Sequence, residues 1–228
     1  MSLNTSSASG WTSEDLKAQA SEILGVLVIL GSFMVKIPVI INVVKYKSSK
    51  GLSTSSLYAQ CLSLSAFTSY HLLRGSPLRT WAENLSVLIQ NVILVLLAWH
   101  YSRARPGAML FVTSALAGSV AVMWSLPDDL LWTLPMASMS IGISGLIPQI
   151  WENYKNGHTG AQSIITQTLN VLGVVARIFT TLQLVKDSVV VLSLSVSSLF
   201  HFTLLAQIVW LRKATHEAMD AHVKAKTK

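Results

Sequence analysis

Gly145 to Gly160 read GLIPQIWENYKNGHTG. An apolar run carrying Pro148-Gln149 gives way to a polar loop, Asn153-Tyr154-Lys155-Asn156-Gly157-His158-Thr159-Gly160. A weaker copy stands 110 residues earlier, where residues 36–51 read KIPVIINVVKYKSSKG. Pro38 answers Pro148, Lys45 answers Lys155, and Gly51 answers Gly160 after a one-residue gap. Two copies of one unit in a hydrophobic chain point to a membrane fold built from repeats, an arrangement common in transporters.

Composition places the chain in the same class. Of its 228 residues, 51% are hydrophobic and 12% are charged, where a soluble domain carries roughly 25% charge. The apolar residues come in long runs, which suits an all-α membrane protein. The net charge is +7. The basic residues flank apolar runs instead of clustering with aromatics, so nucleic acid is not the expected partner; the lipid bilayer is. Cys61 is the single cysteine, which excludes an intrachain disulfide and reads as a small buried hydrophobe. Residues 1–20 lack a basic start followed by an apolar run, so no secretory signal is expected there.

Seven apolar segments follow a flexible polar tail at 1–19, at about 23–44, 57–73, 81–101, 108–124, 130–151, 164–185 and 189–211. The second carries many hydroxyls and amides, so it is expected to face protein rather than lipid. Pairing the copies sets segments one to three against five to seven, with the fourth as connector. The expected architecture is seven transmembrane helices in two parallel three-helix bundles: 20–103, a connector at 104–127, 128–213, and a basic tail at 214–228. Three basic residues follow segment one, two follow segment three, Lys155 follows segment five and five lie in the tail; Lys17, Arg74, Arg79 and Lys186 fall on the other side. The positive-inside rule then puts the C-terminus and both motif loops in the cytosol and the N-terminus on the far side, where Asn4 of the sequon Asn4-Thr5-Ser6 would be open to glycosylation.

Several residues are candidates for function. Pro38 and Pro148 fall late in their segments and read as matched hinges or as packing kinks. Gln149 has Val39 as its counterpart, and reads either as a ligand contact or as an amide satisfying backbone groups freed by the kink. Lys36 and Arg177 are basic residues inside spans, which marks a functional position by default. Lys36 lies near enough to a cytosolic end to snorkel. Arg177 lies deeper, without an acidic residue one turn away on its own helix, and its guanidinium suits a phosphate or carboxylate. Gln90, Asn91, Asn170 and His201 are mid-helix polar groups, and Asn91 and His201 correspond at the offset of 110. They read as the lining of a polar cavity or as interhelical hydrogen bonds. Asp128-Asp129 reads as a solvated loop pair. The sequence carries no HExxH, Walker loop, GxSxG or Cys/His metal spacing, so neither an enzyme, a metal nor a cofactor is expected.

The two-copy unit with its Pro-Gln pair resembles the PQ-loop family, which includes the sugar-efflux transporters and the lysosomal cystine transporter. Within it, the run from Asn153 to Gly160, then Ser163-Ile164-Ile165-Thr166, then Ala176-Arg177-Ile178-Phe179-Thr180, is similar to the mannose-phosphate-dolichol utilization defect branch. That resemblance implies an endoplasmic-reticulum membrane protein needed for lumenal use of mannose- and glucose-phosphate-dolichol in N-glycan and GPI-anchor synthesis. Flipping, presenting to lumenal mannosyltransferases and chaperoning are all compatible with it. Under it, Arg177 and Lys36 would meet the phosphate, and the mid-helix polar groups the sugar. Val39 departs from the family's pattern and speaks against a symmetrical gate of two glutamines. The chain's last five residues place Lys224 and Lys226 in a pattern that resembles a dilysine retrieval signal. The competing readings are a small-solute carrier like the sugar-efflux transporters, and an assembly factor without a ligand.

Overall fold

The computed structural model describes residues 23, 26–27, 29–76, 78, 81–184 and 188–227. The N-terminal tail with Asn4, the flanking Arg79 and Lys186, and the side chain of Lys226 lie outside that description.

The described regular structure is helical. A stretch at 29–32 breaks into turns at 33–36, and α1 (Ile37–Tyr46) resumes the path. Then come α2 (Thr54–Leu73), α3 (Ala82–Ser102) and α4 (Pro106–Trp124). A 3₁₀ turn at Asp128–Leu130 holds the exposed aspartate pair. It leads to α5 (Thr133–Ser144) and α6 (Leu146–Asn156), separated by Gly145 alone. The long helices α7 (Ile164–Leu184) and α8 (Ser188–Trp210) complete the apolar part, and α9 (Arg212–Thr227) follows where a basic tail is expected from sequence. That last helix is held in part by Met219, which is fully buried, and it packs on α1 and α8.

Five stretches among the described residues are long and apolar enough to cross a membrane: Ile29–Tyr46, Ala82–Ser102, Pro106–Trp124, Asp128–Asn156 and Val191–Trp210. The apolar part of α7, Ile164–Phe179, is shorter. The second expected span, α2, buries Ser56, Ser63, Thr68 and Ser69 against its neighbours, so its polar content goes to helix contacts. Large apolar side chains such as Leu110, Phe111, Leu192 and Leu199 point outward, the surface a lipid-facing helix requires.

The repeat is visible in local detail. Ser53 caps α2 by accepting from the Ser56 amide at 3.3 Å, and Ser163 caps α7 by accepting from Thr166 at 3.4 Å, an offset of 110. Both cap the first orphan amides of a helix. Lys47 and Gly157, also 110 apart, end α1 and α6 in the left-handed conformation at φ 47° and 65°. The prolines are not interior kinks. Pro38 and Pro148 occupy the first turns of α1 and α6, beyond a break, where the missing amide costs nothing.

The halves meet chiefly where α2 lies along α5. Ser63 Oγ donates to the Ser138 carbonyl at 2.7 Å, and Ser138 Oγ donates to the Ser63 carbonyl at 2.8 Å. Gly145 admits the close approach, since a Cβ there would sit 2.8 Å from that of Ala59. Small residues and reciprocal hydroxyl bonds are how helices associate without a hydrophobic drive.

Candidate functional site

Two features bring the sequence-marked residues together: a crossing of the two motif loops and a cavity between the halves.

At the crossing, the Ala161 amide donates to the Lys50 carbonyl at 2.9 Å. Gly51 and Gly160 have φ of 82° and 55°, and a Cβ on either would fall on backbone of the opposite loop. Glycine is required there on both counts. Gln149 clamps the far loop, accepting from the Ser53 amide at 2.9 Å and donating to the Gly51 carbonyl at 2.8 Å. It therefore satisfies backbone groups, and they belong to the other copy. Asn42 reaches the opposite way, donating to the Ala161 carbonyl at 3.2 Å. Asn153 is fully buried, accepts from Gln149 at 3.1 Å and from Gln162, and donates to Gln207 at 2.8 Å. The Thr159 amide donates at 3.0 Å to Thr215 of α9. Tyr154 and Asn156 are exposed, and Gly157 forms the helix cap. His158 keeps its Nδ1 buried without a hydrogen-bond partner. Lys224 is exposed near the end of α9.

The cavity has a volume of about 600 Å³ and draws its walls from both halves. Lys36, Gln149, Asn170, Arg177 and His201 line it. Glu83, which the sequence reading did not single out, pairs with Arg177 across from α3. Lys36 does not snorkel: its Nζ donates to Gln60 Oε1 at 2.7 Å within the cavity wall.

Gln90 and Asn91 do not line the cavity. Gln90 bridges the break before α1, donating to the Ser32 carbonyl at 2.8 Å and accepting from the Lys36 amide at 3.0 Å. The open helix turn leaves the Lys36 amide unpaired and the Ser32 carbonyl with only a long bond from the Val35 amide at 3.5 Å, and one amide side chain matches both. Asn91 is fully buried and donates to the Leu57 carbonyl of α2 at 2.9 Å and to Cys61 at 3.2 Å. Its counterpart His201 has its Nδ1 3.1 Å from Gln167 Nε2, which donates to the His201 carbonyl at 2.7 Å. Gln167 is in turn the counterpart of Leu57. Both pairs tie the second helix of a unit to its third, and His201 also borders the cavity.

Gln60, Glu83, Gln162 and Gln207 were missed because each acts through a partner far away in sequence. The only sequence signal was their type, an amide or carboxylate within or beside an apolar run.

The family described as PQ loop repeat matches residues 20–80 and 130–190, together more than half of the chain. Solute carrier family 66 member 3 of Homo sapiens is 26% identical over 164 residues, covering 69% of this chain and 77% of that protein. No solved structure matches.

Proposed function

The chain belongs to the PQ-loop repeat family, and from that premise we propose a non-enzymatic, multi-pass membrane protein that handles a polar group in the cavity between its repeats. The proposed frame is seven spans in two parallel three-helix units joined by α4, with the N-terminus lumenal and the C-terminus cytosolic in the endoplasmic reticulum. The observation that carries the reading is the cavity of about 600 Å³ with Lys36, Glu83 and Arg177 in its wall. Charged groups at such a position are costly in a membrane fold unless they serve a polar ligand or path.

The occupant we favour is the headgroup of mannose- or glucose-phosphate-dolichol, on the strength of the Asn153–Gly160 loop and the Ala176–Thr180 run. Lys36 and Arg177 are then headgroup contacts, Asn170 and His201 face the sugar, and the lipid chain stays among the outward apolar faces. Presentation of the lipid to lumenal mannosyltransferases and transfer across the bilayer both use this arrangement. The test is complementation of cells defective in dolichol-phosphate-mannose use, read as the length of lipid-linked oligosaccharides. Restored full-length glycans are expected. Truncated glycans despite normal protein levels overturn the reading.

The likeness to solute carrier family 66 member 3 favours a second reading, a carrier of a small free solute through the same cavity. Uptake of free hexose or hexose phosphate by proteoliposomes, without complementation, would select it.

A further inference from the structure

Among the described residues, three side chains bordering the cavity carry formal charges: Lys36, Glu83 and Arg177. Glu83 and Arg177 pair with each other, so two of the three charges cancel in place. Lys36 is differently situated. Its ammonium carries three donors, and its partner is the neutral amide oxygen of Gln60 at 2.7 Å. No carboxylate among the described residues lies within ion-pair distance of it.

The surroundings hold that charge in place. Gln60 donates to Ser56 Oγ at 3.1 Å, which fixes its amide with the oxygen turned to Lys36. The Lys36 backbone is pinned by Gln90 at the break before α1. The ammonium is thus fixed at the cavity wall with unfilled donors. Holding a cation away from bulk water against a neutral amide is unfavourable, and an anion in hydrogen-bond range offsets that cost.

We infer that Lys36, oriented by Gln60, is the principal anion subsite of the cavity and takes a phosphate or carboxylate oxygen of the ligand, with Arg177 a weaker contact because Glu83 already pairs with it. This rests on the cavity being the substrate site, as proposed above. The anion has two possible sources, the phosphodiester of a lipid-linked sugar or a free sugar phosphate.

The experiment uses the full chain in lipid nanodiscs with two probes, a polyisoprenyl mannosyl phosphate in the bilayer and mannose 1-phosphate in solution. Affinities are measured for wild type, Lys36→Gln and Lys36→Arg, each checked for monodispersity and melting temperature. Removing a charge-assisted bond is expected to weaken binding of the charged probe about tenfold or more. Lys36→Arg is expected to recover most of that loss. Should Lys36→Gln not fold, Gln60→Leu, which frees the ammonium from its orienting amide, is expected to weaken the same binding. Charge-dependent binding of the lipid probe supports both the subsite and the dolichol reading. Charge-dependent binding of mannose 1-phosphate alone supports the subsite and rejects the lipid source. Binding that Lys36→Gln leaves unchanged, an equal loss in Lys36→Arg and Lys36→Gln, or no binding of either probe overturns the subsite.

Discussion

Replacing Gly160 by alanine is expected to force the two motif loops apart, and Gly157 supplies the internal control. Both glycines have positive φ, 55° and 65°, so an alanine at either pays about 1 kcal/mol for a left-handed backbone. At Gly157 that is the whole cost, because a new Cβ meets nothing within 4 Å. At Gly160 the Cβ falls on the Lys50 carbonyl, and at Gly51 it falls on the Thr159 carbonyl. A carbonyl fixed in a loop cannot rotate aside like a flexible side chain, so the loops must part. Parting them breaks the Ala161–Lys50 bond at 2.9 Å, the two bonds Gln149 makes to the far loop at 2.9 and 2.8 Å, the Asn42–Ala161 bond at 3.2 Å and the Gln162–Gly51 bond at 3.1 Å. Five bonds at about 1 kcal/mol each, added to the backbone strain, give roughly 6 kcal/mol for Gly160→Ala or Gly51→Ala if all are lost. Equilibrium unfolding in mixed micelles measures the difference. Gly160→Ala and Gly157→Ala lying within about 1 kcal/mol of each other would refute the crossing.

Gln90→Leu is expected to destabilise by roughly 1–3 kcal/mol, since it strands the Lys36 amide and leaves the Ser32 carbonyl only the long bond from the Val35 amide at 3.5 Å; faster hydrogen exchange confined to residues 33–37 would accompany it. Asn91→Ala is expected to cost about 0.5–1.5 kcal/mol by removing a buried bond to the Leu57 carbonyl, which keeps its own helical partner, while leaving ligand affinity unchanged. Asn170→Ala, whose side chain borders the cavity, is expected to do the reverse in a paired binding and melting assay. A double-mutant cycle on Glu83→Gln and Arg177→Met is expected to give a coupling of about 0.5–3 kcal/mol, toward the lower end because the Arg177 side chain is 42% exposed; zero coupling would remove the ion pair from the argument.

The frame of the molecule was legible because it is encoded locally. The offset of 110 that relates residues 36–51 to the second copy also relates the helix caps Ser53 and Ser163, whereas the prolines at 38 and 148, read as hinges or kinks within a span, stand in the first turn after a break. Helix bounds follow apolar length, so the expected segments at 57–73, 81–101, 108–124, 164–185 and 189–211 end within a few residues of helices among the described residues, whereas those at 23–44 and 130–151 are each interrupted by a turn that apolar length does not signal. The C-terminal helix was not legible, because its stability comes from burying Met219 and bonding Thr215 to a loop 56 residues away. The cavity was half legible. A cation in an apolar run declares itself, as Lys36 and Arg177 did, whereas the group that neutralises it does not. Glu83 opens α3 beside a membrane flank, where a carboxylate is ordinary, and only the tertiary fold carries it to Arg177.

The departure at Val39 is where local reading and tertiary structure diverge most usefully. Aligned by position, Val39 faces Gln149 and the first unit lacks its amide, which speaks against a symmetrical pair. Position is the wrong measure, because what the crossing needs is a donor delivered to the opposite loop. Asn42 stands three residues further along α1, close to one helical turn on, and so lies on nearly the same face. From there it donates to the Ala161 carbonyl, while Gln149 donates to Gly51; residues 51 and 161 are themselves counterparts at the offset of 110. The two units thus exchange equivalent clasps through different side chains at different positions. The symmetry that the substitution at 39 obscures is one of backbone partners, and it makes the loop crossing a joint held from both halves.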